Sequence, residues 1–193
     1  MRIAVEQGLQ AVRASSVADE PQDAALMRAY AGGDMAAFEL LYRRHKDPLY
    51  RYFLRHVDPS DAGELFQDVW KNIVQARAQY REDAPFAAWL FRIAHNRLMD
   101  HYRQRRATDE VPEDLPAPAE LQPQVQAERA DTVRSLRQAL AALPAEQREI
   151  IVLREERELS LEQIAEIQGV GRETVKSRLR YALAKLRETL GER

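Results

Sequence analysis

The sequence predicts an all-α protein built from two small helical domains joined by a flexible acidic, proline-rich linker. Apolar residues recur at the spacing of one helix face through most of the 193 residues. Glycine occurs only 7 times, and long β-branched runs are absent. The third observation is a change of composition at residues 107–123, which hold four prolines, five acids and no basic residue. Proline and like charge both favour an extended chain, so this segment is predicted to separate the two domains.

The domains follow from the breaks in periodicity. Residues 1–22 have weak periodicity and are predicted to form a mobile tail. The first domain is predicted over residues 23–106, the linker over 107–123 and the second domain over 124–193.

Residues with strong capping preferences mark several helix starts. Asp34 follows the Gly32-Gly33 pair and is predicted to cap the next helix. Pro144 is predicted in the first turn of a helix. Ser160 and Gln163 have the spacing of a capping box for a helix over 161–168.

Composition excludes several classes of protein. The chain has no cysteine, which excludes disulfides and thiolate zinc sites and fits a reducing cytoplasm. The first twenty residues contain no continuous apolar block, so neither a signal peptide nor a membrane span is predicted. Because no phosphate loop, nucleophile motif or metal-ligand cluster is present, we expect a non-enzymatic protein without a cofactor.

Charge is distributed unevenly along the chain. The net charge is −2, yet residues 86–106 carry five arginines against one acid, and residues 172–187 carry six basic groups against Glu173. Such islands can neutralise phosphates locally, while the acidic remainder weakens free association with DNA. A nucleic-acid ligand and a second partner that shields the acidic surface are therefore expected.

The second domain has the pattern of a helix-turn-helix. A short helix is followed by Gly169-Val170-Gly171 and by a longer helix with an apolar stripe. The stripe consists of Val175, Leu179, Ala182, Leu183 and Leu186. The side opposite the stripe carries Glu173, Thr174, Ser177, Arg180 and Tyr181, with Lys176 on its flank, and these six residues together with Arg172 are the candidates for DNA contact. The alternative is a helical hairpin with solvated charges, but hydroxyls beside arginines favour phosphate and base contacts.

The stretch "DAGELFQDVW" (61–70) combines a core face with an acidic face. On a helix, Asp61, Glu64, Leu65 and Asp68 share one side, which suits docking to a basic helical surface of a partner. The core side is predicted to hold Ala62, Phe66, Val69 and Ile73. Acids placed early to complement the helix dipole would explain Asp61 and Glu64 but not Asp68.

The stretch "FAAWLFRIAHNRLMDHYRQRR" (86–106) places an aromatic ring among arginines. Its predicted core stripe is Phe86, Trp89, Leu90, Ile93 and Ala94. Another side carries Ala88, Phe91, Arg92 and His95 and continues to Asn96 and Arg97. Rings that stack on bases beside guanidinium groups that hold phosphates suit single-stranded nucleic acid. The alternative, which the pattern leaves open, is that Phe91 is core and Asn96 a helix-end residue.

These two stretches, followed by "LPAEQREIIVLREERELSLEQIAEIQGVGRETVKSRLRYALAKLR", resemble the successive signatures of bacterial extracytoplasmic-function (ECF, group 4) sigma factors. The resemblance covers about 23–106 and 124–190. It implies a promoter-specificity subunit of RNA polymerase serving a stress or envelope regulon, with an anti-sigma factor as a further partner. The rival class is a stand-alone helix-turn-helix regulator that acts without core polymerase.

The resemblance also implies roles for individual residues. The residues implied in docking to core RNA polymerase are Asp61, Glu64, Leu65, Gln67 and Asp68. Those implied in capturing the melted minus-ten strand of promoter DNA are Trp89, Phe91, Arg92, His95, Asn96, Arg97 and Arg103. The second helix of the helix-turn-helix would read the minus-thirty-five element in the duplex. The chain departs from the family pattern at Gly63, Gly171 and Glu173, so the minus-thirty-five sequence does not carry over from relatives.

Overall fold

The computed structural model describes residues 20–81, 84–107, 135–136 and 138–191. Every regular element in these residues is helical, which confirms the all-α prediction. The chain divides into two compact units, whose described parts are 20–107 and 135–191. The predicted tail up to residue 19 and nearly all of the predicted linker lie outside the described residues, and the predicted domain boundaries remain predictions.

In its described residues, the first unit has four α-helices and a short 3-10 turn. The helices are α1 (Glu20–Ala31), α2 (Met35–Leu54), α3 (Pro59–Ala76) and α4 (Phe86–Ala107), with the 3-10 turn at Arg77–Gln79. Helix α4 contacts each of the other three helices. The largest fully buried side chains of this unit are Met27, Leu41, Leu49, Tyr52, Phe53, Ile73, Phe86, Leu90, Phe91 and Leu98.

Aspartate caps begin two of these helices. The carboxylate of Asp34 accepts from the amides of Ala36 at 2.9 Å and Ala37 at 3.3 Å, which confirms the predicted cap. Asp58 does the same for α3 through the amides of Ser60 and Asp61, both at 3.0 Å.

The second unit consists of α5 (Ala145–Arg157), α6 (Leu161–Gln168) and α7 (Arg172–Gly191), preceded by helical residues 138–141. The stripe predicted on α7 is confirmed, because Val175, Ala182 and Leu186 are buried and Leu179 and Leu183 pack partly buried against the same core. That core also contains Ala139, Leu143 and Ile151.

The connections of the second unit follow the predicted local chemistry with one difference. Both hydrogen bonds of the Ser160–Gln163 capping box are present, at 2.8 and 3.2 Å. Gly169 ends α6 in the left-handed conformation at φ 64°. Pro144 was predicted inside the first turn of α5 but lies one residue before it, because its ψ of 146° is extended rather than helical.

None of the described helices combines the length and the apolar character needed to cross a membrane.

Candidate functional site

Helix α3 presents a narrower acidic face than the sequence predicts. Glu64, Gln67 and Asp68 are exposed. Leu65, predicted among them, is only 6% exposed, so its placement on the docking face is wrong. It belongs to the buried stripe with Val69 and Ile73, since residues four apart lie on one face of a helix.

Asp61, on the same side of α3, is engaged within the unit. Its carboxylate Oδ2 accepts from Arg105 Nη1 at 2.9 Å and lies 3.3 Å from His101 Nε2. Both partners are on α4. Asp61 therefore joins α3 to α4, and the exposed docking candidates that remain are Glu64, Gln67 and Asp68.

An aromatic cluster that the sequence did not indicate fixes α3 against α2. The Tyr42 ring packs on Trp70 with centroids 4.9 Å apart, and Phe38 lies edge-on to Trp70 at 5.9 Å. Phe66, predicted to be core, is half-buried between Tyr42 at 6.3 Å and Tyr50 at 5.8 Å. The rings hold the acidic face in a fixed orientation within the first unit.

Helix α4 presents one outward face of mixed aromatic and polar character. Arg92, Asn96 and Arg103 are exposed, and their spacing places them within a narrow sector of the helix. Trp89 lies on the same sector, half-buried, with its ring 5.3 Å from Tyr80. We call Trp89, Arg92, Asn96 and Arg103 the α4 outer face.

Phe91 and His95 do not belong to the α4 outer face. Phe91 is 0% exposed and packs on Tyr52 with ring centroids 5.4 Å apart, and His95 is 8% exposed. The interpretation that Phe91 stacks on bases is therefore wrong for this conformation, and the alternative that it is core is correct. The physical reason is that α4 packs against three helices, which widens its buried sector to include both residues.

Arg97 and Arg103 of α4 are held by neighbouring amide and acidic side chains. Arg97 is partly exposed and donates from Nη2 to Asn72 Oδ1 at 3.2 Å. Asp100 forms an ion pair with Arg103 and lies 3.9 Å from Arg97. By helical spacing, Arg92 and Asn96 belong to the α4 outer face, and Arg97 lies on its flank.

Helix α7 exposes the residues predicted to contact DNA. Arg172, Glu173, Thr174, Lys176 and Arg180 are exposed, and Ser177 is partly exposed. Tyr181 is 59% exposed, an unusual position for a large ring, with the Arg180 guanidinium 5.1 Å from its centre. Six of the seven lie on the side opposite the buried stripe or on its flanks, and Arg172 is exposed because it is the first residue of the helix.

Carboxylates surround the first turn of α7. Arg172 forms ion pairs with Glu162 and, at 3.4 Å, with Glu173, whose other oxygen lies 3.5 Å from Lys176 Nζ. A backbone hydrogen bond and the Arg172 guanidinium keep the pKa of Glu162 below its usual value. These pairs are exposed, so each contributes little to the stability of the fold.

Among the described residues, no three His, Asp or Glu side chains lie together as metal ligands would.

Comparisons with known proteins agree with this division into two helical units. The family model described as Sigma-70 region 2 matches residues 41–108, and the one described as Sigma-70, region 4 matches residues 139–188. The chain is 34% identical over 174 residues to the ECF RNA polymerase sigma factor SigM of Mycobacterium tuberculosis (strain ATCC 25618 / H37Rv), covering 89% of this chain and 86% of that one. It is 35% identical over 161 residues to the RNA polymerase sigma-E factor of Streptomyces coelicolor (strain ATCC BAA-471 / A3(2) / M145), covering 82% and 88%.

Solved structures are similar as well. CnrH in complex with the cytosolic domain of CnrY matches at a TM-score of 0.65 and 28% identity, covering 89% of this chain and 98% of that one. The sigma factor RpoE of Bartonella quintana, in complex with the anti-sigma factor NepR, matches at 0.67 and 25% identity, covering 80% and 96%. The two sequence relatives match over 89% and 82% of this chain, and the two sigma-70 regions occur in the expected order. The chain belongs to the ECF sigma factors of RNA polymerase.

Proposed function

We propose that this ECF sigma factor binds core RNA polymerase and directs it to promoters through three separate surfaces. The observation that carries the proposal is that α7 exposes six of the seven DNA-contact candidates, with Ser177 partly exposed, within a unit that matches sigma-70 region 4. The chain supplies recognition and strand capture, and RNA synthesis belongs to the polymerase. We place this activity in the cytoplasm, with a stress or envelope regulon as its target.

The first surface is the exposed acidic face of α3. Glu64, Gln67 and Asp68 can accept and donate hydrogen bonds to a basic helix of the polymerase without disturbing the core. Asp61 takes a different role, because its ion pair with Arg105 fixes α3 relative to α4. Leu65 supports the face from below as part of the buried stripe.

The second surface is the α4 outer face, which we assign to the unpaired minus-ten strand. The Trp89 ring offers a stacking surface, Arg92 and Arg103 offer guanidinium groups for phosphates, and Asn96 offers a donor and an acceptor to one base edge. Arg97 lies on the flank of this face. Phe91 and His95 act from the core by holding α4 in place.

The third surface is the N-terminal half of α7, which we assign to the minus-thirty-five duplex. Helix-turn-helix proteins place the start of the second helix in the major groove. Thr174 and Ser177 offer hydroxyls, and Arg172, Lys176 and Arg180 offer cations for phosphates and guanine edges. Glu173 can accept from a cytosine amino group, and Tyr181 offers a ring at the far end of the surface.

An anti-sigma factor is proposed as a further partner. The support is that RpoE of Bartonella quintana, which shares the fold over 80% of this chain, was solved with the anti-sigma factor NepR.

The test is transcription in vitro from a library of promoter duplexes, with core polymerase alone and with the full chain added. We expect transcripts only when the chain is present, from templates that share an upstream and a downstream element. Transcription that does not depend on the added chain would contradict the proposal.

A further inference from the structure

The side-chain amide of Gln168 contacts two neighbouring helices of the second unit from the end of a third. Gln168 is the last residue of α6. Its Nε2 donates to the carboxylate of Glu149 at 2.8 Å and to the backbone carbonyl of Glu146 at 3.1 Å, both on α5. Its Oε1 accepts from Arg178 Nη1 at 3.1 Å, on α7.

These contacts fix the orientation of the amide. Both hydrogens of Nε2 are used on α5, and the oxygen is used on α7. The reverse orientation would place an oxygen against the Glu149 carboxylate and an NH₂ group against the Arg178 guanidinium. Glu149 is 2% exposed, so its carboxylate requires hydrogen-bond donors, of which Gln168 is one.

Arg178 lies at the border between the buried stripe of α7 and the surface proposed to face DNA. It is partly exposed, between buried Val175 and Ala182 on one side and Thr174 and Ser177 on the other. The link from α6 to α7 is only Gly169-Val170-Gly171, and its glycines leave the backbone more conformational freedom than other residues would. A side-chain contact across this turn therefore restrains the direction of α7.

We propose that Gln168 is a positioning residue for minus-thirty-five recognition. It makes no contact with DNA itself. By joining Glu149 on α5 to Arg178 on α7, it sets the rotation at which α7 presents Thr174, Ser177 and Arg180 to base edges. The inference rests on the proposed function, because it assigns a cause to the sequence preference of that surface.

The variant that tests the contact is Gln168→Glu, which has nearly the same shape. It replaces the donor to the buried Glu149 by an oxygen and places two carboxylates together. The exchange Glu149→Gln with Gln168→Glu restores one donor and one acceptor at the same place, and the carboxylate introduced on α6 still accepts from Arg178. Gln138→Glu is the matched control, since it makes the same chemical change at an exposed position of the same unit.

The measurement uses holoenzyme assembled from core polymerase and the full chain. The wild type first selects an upstream element from a library of duplexes with random upstream and downstream elements. Each variant is then measured for its preference, the ratio of its affinity for that element to its affinity for a scrambled one, with the downstream element held constant. We expect Gln168→Glu to lower the preference about tenfold, and the exchange to restore it to within about threefold. Gln138→Glu should leave it unchanged.

Several results would overturn the inference. An unchanged preference in Gln168→Glu, an equal loss in Gln138→Glu, or no recovery in the exchange would each do so. A purely stabilising role predicts a lower melting temperature by circular dichroism with the preference intact, which also overturns it. If Gln168→Glu unfolds below the assay temperature, Gln168→Met decides: it brings no charge, so a lost preference supports the inference and a retained one refutes it. A wild-type holoenzyme that selects no upstream element overturns the proposed function together with the inference.

Discussion

Asn96 and Phe91 lie five positions apart on α4 and have opposite surroundings. Asn96 is exposed between Arg92 and Arg103, whereas Phe91 is fully buried against Tyr52. We therefore expect Asn96 to contribute to DNA binding and Phe91 to contribute to the stability of the first unit.

Replacing Asn96 by alanine should reduce open-complex formation about tenfold, since a good bidentate base contact contributes about 1–3 kcal/mol. Stability should not change, because the side chain is exposed. Permanganate footprinting on duplex and pre-melted templates measures the effect, which pre-melting should relieve only in part. Gln104→Ala, an exposed amide on the same helix outside the α4 outer face, is the control. Full activity of Asn96→Ala on duplex DNA would contradict the assignment.

Phe91→Ala should behave differently. Removing a buried ring leaves a cavity, so the free energy of unfolding should fall by about 3–5 kcal/mol and activity should fall on every template. Both tryptophans, Trp70 and Trp89, are in the first unit, so their fluorescence during urea denaturation reports its unfolding. Unchanged stability with loss on duplex alone would return Phe91 to the DNA-binding residues.

Asp23 forms a buried polar cluster that joins α1 to α2. It is 3% exposed, accepts from Arg44 at 2.6 Å and lies 2.7 Å from His45 Nε2. Burial acts to raise the pKa of Asp23, but the hydrogen bonds and charges of His45 and Arg44 outweigh burial and hold that pKa below its usual value of 3.8. A carboxyl with a lowered folded-state pKa stabilises the fold above the unfolded value and loses that contribution as the pH falls through the folded value.

Asp23→Ala should therefore destabilise the first unit by about 3 kcal/mol near neutral pH, because it leaves buried His45 and half-buried Arg44 without this carboxylate. The difference from wild type should shrink as the pH falls below about 4, where the unfolded chain takes up the proton, and should vanish below the lower folded-state pKa of Asp23. Urea denaturation followed by tryptophan fluorescence over a pH series measures this. A stability difference that grows on acidification would contradict the lowered pKa of Asp23 in the folded protein.

At the scale of the element, the acidic residues of α3 fall into two groups, one paired within the unit and one exposed to solvent. Asp61 is used internally by Arg105 and His101, while Glu64 and Asp68 are exposed one turn apart. Only the exposed pair can form new contacts with a partner without a loss of internal ones.

Reversing Glu64 and Asp68 to lysine should weaken binding to core polymerase about tenfold or more while the helical fold is kept, because charge reversal at a complementary interface costs several kcal/mol. Fluorescence polarisation with core polymerase measures the affinity. The double reversal of Glu39 and Asp47, two exposed acids on α2, is the matched control. Equal affinities of the α3 variant and wild type would exclude this face as the docking surface.

The sequence predicted where helices begin better than it predicted which of their sides are buried. Asp34 and the Ser160–Gln163 box could be recognised because caps depend on residues within a few positions. The buried side of α4 could not, because apolar residues occur around most of its circumference and the number of packing helices decides which are covered. The pairing of Asp61 could not be predicted either, because its partners are 40 and 44 positions away, beyond any local pattern. Leu65 lies at the edge of the buried stripe of α3, where tertiary packing decides whether a residue is covered.

At the scale of the whole molecule, the basic residues that we propose to face DNA occur in two units of a chain whose net charge is only −2. Each surface is small, and acids adjoin both, Asp100 on α4 and Glu162 and Glu173 on α7. Such surfaces should bind promoter DNA weakly when the protein is free, and core polymerase should supply the remaining affinity and specificity.

Equilibrium binding of one selected promoter duplex, to the full chain with and without core polymerase, tests this claim most directly. The free chain should bind weakly and without sequence preference, with a Kd of about 1 μM or higher at physiological salt. The holoenzyme should bind the same duplex with a Kd of about 10 nM or lower and discriminate against a scrambled duplex. Tight, sequence-specific binding by a dimer of the free chain, unaltered by core polymerase, would contradict the account and identify a stand-alone regulator.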